Sequence, residues 1–234
     1  MHLMQTRPVA IVAALIAVLA LIAGCSKSAE SGKDLPDAAT LLTQSTETTK
    51  NETSVHMRLT VQGEIPGLAL ESIEGDLTSV PAVAAAGSAD LLFMGQRLQG
   101  IEFVVVDGIL YAAMSAGAFQ DFGPAADVYD VSAILNPEIG LANVLANFSD
   151  AKAEDRETVN GVETVRVAGT VSAEAVNKIA PQIGATEAVP ATAWIAEAGD
   201  HALMQITLQT APEGSITMTF SDWGKPVTVT KPAI

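Results

Sequence analysis

Polar and apolar positions alternate over Ser54–Gln62, where Val55, Met57, Leu59 and Val61 are interleaved with His56, Arg58, Thr60 and Gln62. A period of two predicts a half-buried strand. Leu70–Ser79 reads as a second strand with Ile73 and Leu77 on one side. Ala84–Met94 reads as a third, with Ala89, Leu91 and Phe93 opposite Ser88 and Asp90. Over Leu98–Met114 the pattern changes: apolar residues run nearly unbroken on both sides of Asp107-Gly108, a strong two-residue hairpin signal. Antiparallel strands commonly bury one face, so this pair needs apolar cover on both. Lys152–Val159 and Val162–Val171 flank a second such turn, Asn160-Gly161. Ala191–Glu197, Ala202–Gln209 and Ser215–Ser221 read as three more strands, and Val227–Thr230 as a short last one.

Helical spacing marks three stretches. Pro36–Lys50 places Ala38, Leu41, Leu42 and Ser45 on one face, with Asp37 near the positive helix end. Asp130–Phe148 places Leu141, Val144, Leu145 and Phe148 together, with Asn136-Pro137 as a start signal. Ser172–Ala180 is a short helix with Ser172 as its N-cap and Pro181 after its end. Gly117–Tyr129 has no clear period and reads as a long connection. About ten strands with a few helices predict an α+β fold, an antiparallel sheet with helices gathered on one face.

The N-terminus is built differently. Val9–Ala23 is an unbroken apolar run, long enough for a signal-peptide core and short for a membrane span. It ends in Ile22-Ala23-Gly24-Cys25, which resembles a bacterial lipobox, and Cys25 is the only cysteine. Residues 1–24 are therefore expected to be a lipoprotein signal peptide. Residues 25–35 are expected to be a lipidated N-terminus and flexible tether, and residues 36–234 one domain. Two or three acyl chains on Cys25 anchor a protein to a membrane stably, where one does not.

Charge narrows the partners. With 27 acidic residues against 12 Lys plus Arg, the surface is unsuited to nucleic acid and is repelled by anionic headgroups. Catalytic arrangements are missing. Beyond the N-terminal segment the histidines are His56 and His201, one on the polar side of a strand and one after a turn, and both read as solvated. No zinc spacing, nucleophile elbow or phosphate loop is present, so the expectation is no catalytic residue, no metal and no cofactor. Asp121, Asp127 and Asp130 match no calcium loop.

EIPGLALESIEGDLT, FVVVDGILYA, DFGPAADVYD and ILNPEIGLANVLANFSDAKAE resemble the LppX/LprA/LprF/LprG family of mycobacterial lipoproteins, as do GTVSAEAVNKIAP, VPATAWIAEAGDH and SDWGKPVTVTKP. The likeness covers essentially the whole chain and is strongest to the LprG branch. It implies a curved antiparallel β half-barrel with helices packed on its concave side, enclosing an apolar cavity. It also implies a ligand class, triacylated glycolipids such as phosphatidylinositol mannosides, lipomannan and lipoarabinomannan, together with triacylglycerides. The implied role is carriage of these lipids toward the outer envelope, in partnership with an efflux transporter of the major facilitator type. The implied location is the periplasmic face of the cell membrane, with the cell wall as a second one.

On residues alone, a packed core explains the apolar strands more simply than a cavity; the resemblance turns the reading to a cavity. Glu102 prefers solvent, which turns Ile101, Phe103 and Val105 inward. The same logic turns Met57, Leu59 and Val61 inward, with Ala89, Leu91 and Phe93. It does so too for Val165 and Val167, and for Met204, Ile206 and Leu208. These are the candidate lining residues. A lipid-modifying hydrolase or acyltransferase and a ligand-free structural envelope protein are the alternatives.

Overall fold

The computed structural model describes residues 34–115 and 117–234. Cys25, the apolar run before it and most of the tether lie outside the described residues, as does the side chain of Phe93. Leu35–Ile234 form one compact unit.

The chain enters through α1 (Ala38–Lys50), capped by Asp37, whose Oδ1 accepts the Thr40 backbone N–H at 2.8 Å. Leu41 and Leu42 are buried. Each contributes roughly 1.5–3 kcal/mol by leaving water. Five strands follow in a meander: β1 (Ser54–Gln62), β2 (Leu70–Thr78), β3 (Ala84–Phe93), β4 (Gln96–Val106) and β5 (Ile109–Ala113). Asp107 and Gly108 both have positive φ, as a type I′ hairpin requires. After β6 (Phe119–Pro124) come two short helices, α2 (Ser132–Leu135) and α3 (Leu141–Ala146). The chain then runs through β7 (Phe148–Val159), β8 (Val162–Val171), α4 (Ala173–Ile179), β9 (Val189–Ala196), β10 (Leu203–Ala211) and β11 (Gly214–Ser221).

All eleven strands form one antiparallel sheet in the order β6-β5-β4-β3-β2-β1-β11-β10-β9-β8-β7. The first half of the chain builds one wing, the second half builds the other, and β1 and β11 join them. Cross-strand rows can be followed from wing to wing. On the inner face one row runs Ile101, Ala89, Ile73, Leu59, Met218, Ile206, Ala193, Val167. Helix α1 packs on α3 and lies over β7 and β9, so the inner face of the β7–β10 wing is closed by helices. The core there is closed to solvent: Val165, Val167, Ala193, Ile195 and Ile206 are wholly buried.

Four sequence expectations are corrected. Asp130–Phe148 is not one helix. Asn136 is extended ahead of Pro137, as the proline ring demands, which stops α2. Gly140 then restarts the chain where a Cβ would lie 2.3 Å from the carbonyl oxygens of Ala133 and Ile134. Phe148 belongs to β7. The supposed connection Gly117–Tyr129 contains β6, an edge strand whose Asp121, Gly123 and Pro124 hide its period. Finally, Val227–Thr230 pairs with no strand. Its alternation is real, since Val227 and Val229 are half-buried and Thr228 and Thr230 exposed, but it answers to a sheet face and not an edge.

That segment supplies cover the sequence demanded. Gly224 N–H donates to the Ser54 carbonyl and Ser54 Oγ donates to the Lys225 carbonyl, which ties the C-terminal segment to the start of β1. It ends over β5, with Lys231 Nζ 5.2 Å from the centre of the Tyr111 ring. Tyr111 alternates with Leu110 and Ala112, so it points to the outer face, yet it is buried. The β4–β5 hairpin is therefore apolar on both sides because its two faces have different covers.

Candidate functional site

Where the helices leave the inner face open, the β1–β5 wing borders a pocket of about 480 Å³. The sheet supplies its floor: Met57 and Leu59 from β1, Ile73 and Leu77 from β2, Ala85, Ala89 and Leu91 from β3. Ile101, Phe103 and Val105 come from β4, Leu110 and Ala112 from β5, and Leu208, Ile216 and Met218 from β10 and β11. Gly75 and Gly87 face each other across β2 and β3. A Cβ on Gly75 would lie 2.3 Å from the Ala86 carbonyl oxygen and one on Gly87 2.1 Å from that of Glu74, so the strands close where only glycine fits. Gly75 leaves the floor without a side chain at that point.

Two segments roof the pocket. One follows β6 and contributes Ala125, Val128, Tyr129, Val131 and Ile134; the other ends α4 and contributes Ile179, Ala180, Gln182 and Ile183. A single side-chain hydrogen bond joins them among the described residues: Tyr129 Oη donates to the Ile179 carbonyl at 2.9 Å. Burial, with the Asp130 carboxylate adding to it, pushes the Tyr129 phenol well above its usual range, so it stays a neutral donor. Gln182 and Val128 are exposed, and with Gly67, Leu68 and Ala69 ahead of β2 they mark the opening. Asp76 borders the pocket, but its carboxylate is turned to the outer face, 2.8 Å from His56 Nδ1.

The pocket gathers Met57, Leu59, Ala89, Leu91, Ile101, Phe103, Val105 and Leu208 from the sequence-derived set. Val61, Val165, Val167, Met204 and Ile206 do not border it. Val165, Val167 and Ile206 lie on the wing that the helices close, and Met204 is buried at the bulge between Leu203 and Gln205. Val61 packs against the core. Val165, Val167 and Ile206 are wholly buried on the inner face, as alternation requires, whereas Met204 is the extra residue of the bulge, where alternation is interrupted. Alternation cannot distinguish a helix-covered face from an open one. Sequence reasoning missed the roof entirely. Tyr129 and Ile183 sit in aperiodic connections and carry no pattern to read, and Ile179, although inside the expected short helix Ser172–Ala180, carries no sign of which surface it covers.

The wall offers almost nothing to a polar or charged ligand. Neither His56 nor His201 borders it; His56 is on the outer face, and His201 Nδ1 lies 3.0 Å from the Ala196 carbonyl. Among the described residues, no group of three or more His, Cys, Asp or Glu is placed to hold a metal ion. What the pocket can do is take apolar groups out of water, at roughly 0.8 kcal/mol per buried CH₂.

Residues 37–229 match the family model described as LppX_LprAFG lipoprotein. The chain is 60% identical to the protein named lipoarabinomannan carrier protein LprG of Mycolicibacterium hassiacum, over 98% of this chain and all of that one. Among solved structures it is similar to LprF from Mycobacterium bovis, with a TM-score of 0.78 at 30% identity over 86% of this chain and all of that one. It is also similar to the lipoprotein LppX of Mycobacterium tuberculosis, with a TM-score of 0.64 at 27% identity over 84% of this chain and all of that one.

Proposed function

Because this chain belongs to the LppX_LprAFG lipoprotein family, whose LprG members are named carriers of lipoarabinomannan, we propose that it carries triacylated glycolipids and triacylglycerides with their acyl chains in the β1–β5 pocket. The observation that carries this reading is the apolar lining of that pocket. A carrier needs a wall that rewards every buried methylene about equally and fixes none of them, so that the ligand can leave again. Aliphatic side chains with no charged group do this.

Cys25 is the proposed anchor, acylated after removal of residues 1–24, which holds the domain at the periplasmic face of the cell membrane. From there the protein passes its lipid toward the outer envelope, with a major-facilitator transporter as its partner. The naming of the LprG relatives as carriers supports a non-enzymatic reading of the same pocket.

The test is transfer between two vesicle populations. Donor vesicles hold a fluorescent triacylated phosphatidylinositol mannoside, and acceptors are plain phosphatidylcholine. The protein is expected to accelerate transfer in proportion to its concentration and to release the lipid chemically intact. Transfer no faster than without protein would overturn the carrier reading.

A further inference from the structure

The outer face of the sheet has a groove of its own, of about 650 Å³. Its floor is the cross-strand row Arg58, Thr219, Gln205 and the adjacent pair His56 and Ser221, on β1, β11 and β10. Its wall is the tip of the β7–β8 hairpin, Thr158–Asn160. The tip is held in place. Trp194, next to Gln205 in the row, donates its Nε1–H to Glu157 at 2.7 Å. Arg166 pairs with Glu157 and Glu154 at 3.1 and 3.3 Å, and Thr164 Oγ1 donates to the Glu157 carbonyl.

The chemistry of this groove is the reverse of the inner pocket's. Its charges are already matched: Arg58 pairs with Glu74 at 3.3 Å, and His56 lies between Glu74 and Asp76 at 3.5 and 2.8 Å. An anion would meet Glu74 and an apolar chain would strip water from polar groups. What is left to bind with is neutral. Among the described residues the Asn160 side-chain amide, Nε2 of Gln205 and Oγ of Ser221 have no protein partner, and they combine donors with acceptors. Neutral donors and acceptors lining one groove suit hydroxyl groups, each of which both donates and accepts, and Val159 adds a small apolar surface for a pyranose C–H face.

We infer that this groove is a binding site for a neutral polyhydroxylated ligand, a hexose or pentose oligosaccharide. The inference rests on the acyl-carrier reading only for where that glycan comes from. It is either the headgroup of the lipid held in the inner pocket or a separate polysaccharide.

The experiment uses the full chain in a detergent without a sugar headgroup, titrated calorimetrically with an acyl-free mannose oligosaccharide. Saturable binding by lipid-free protein is expected. Asn160→Ala combined with Gln205→Ala should weaken it about tenfold or more, with melting temperature and triacylglyceride loading unchanged. Two preloaded forms identify the source. If the headgroup occupies the groove, the oligosaccharide binds protein loaded with triacylglyceride but not protein loaded with a triacylated mannoside. If the glycan is separate, both forms bind it equally. No saturable binding by the lipid-free protein, or binding indifferent to the double substitution, overturns the site. Because that titration needs no lipid, its failure is separable from a failure of the carrier reading.

Discussion

Ala89 and Ala193 lie on the same inner row of the sheet, separated by four residues on β2, β1, β11 and β10, and Phe substitution at each should have opposite consequences. Ala193 is wholly buried beneath the helices. A ring forced in there overpacks a filled space at a cost of about 1–3 kcal/mol, which lowers the melting temperature by about 2–12 °C in a chain of this size. Ala89 borders the pocket, so its ring has somewhere to go. A cavity of about 150 Å³ holds a benzene ring, so Phe at 89 takes roughly a third of the 480 Å³ without moving protein atoms. Lipid-free Ala89→Phe should melt within about 1 °C of the parent. Its lipid capacity should fall, because displacing only two methylenes forfeits about 1.6 kcal/mol, a little over tenfold in affinity. Thermal melts of lipid-free protein and triacylglyceride titration read the two effects separately. Equal destabilisation by both substitutions, or a full lipid load on Ala89→Phe, would refute the distinction between open and closed wings.

Further outcomes follow from other parts of the fold. Tyr129→Phe removes the bond between the roof segments; it should cost about 0.5–1.5 kcal/mol in denaturant unfolding and speed lipid release in a dilution assay. Asp37→Ala should lower the melting temperature by about 2–4 °C, and Asp37→Ser should restore it. Two bonds from Thr40 hold the Asp37 carboxyl below its usual range. Its stabilisation is therefore complete above that range and is lost as pH falls through it, and the deficit of Asp37→Ala should shrink in acid melts. Deleting residues 225–234 should expose the outer face of the β4–β5 hairpin, with concentration-dependent aggregation in light scattering. Intact mass of membrane-extracted protein should show cleavage before Cys25 and added acyl chains; a retained N-terminal segment would contradict that anchor.

The sheet was legible because period-two patterning and two-residue turns are local. Asp107-Gly108 and Asn160-Gly161 both adopt the positive φ that their chemistry favours. The demand for cover on both faces of β4–β5 was also legible, but not its source. The outer cover comes from a segment more than a hundred residues away whose alternation mimics a strand. Half of the site was readable for a similar reason. Inward residues are inward on both wings, but which wing lies under α1 and α3 is set by tertiary packing. Met57 and Leu59 thus fell beside the pocket and Val165 and Val167 into closed core, on identical local evidence. The roof was not legible as a roof: Tyr129 and Ile183 lie in connections without a period, and the helical stretches holding Ile134 and Ile179 do not show which part of the sheet they cover.

The most direct measurement of the central claim is mass spectrometry of lipid extracted from protein purified out of its own membranes with no lipid added. Triacyl species should be recovered intact in near-stoichiometric amount from the parent and from an outer-face control, Thr60→Phe, and in clearly smaller amount from Ala89→Phe. Recovery of no triacyl lipid from the parent, or of the same amount from all three, would contradict a pocket built to carry acyl chains.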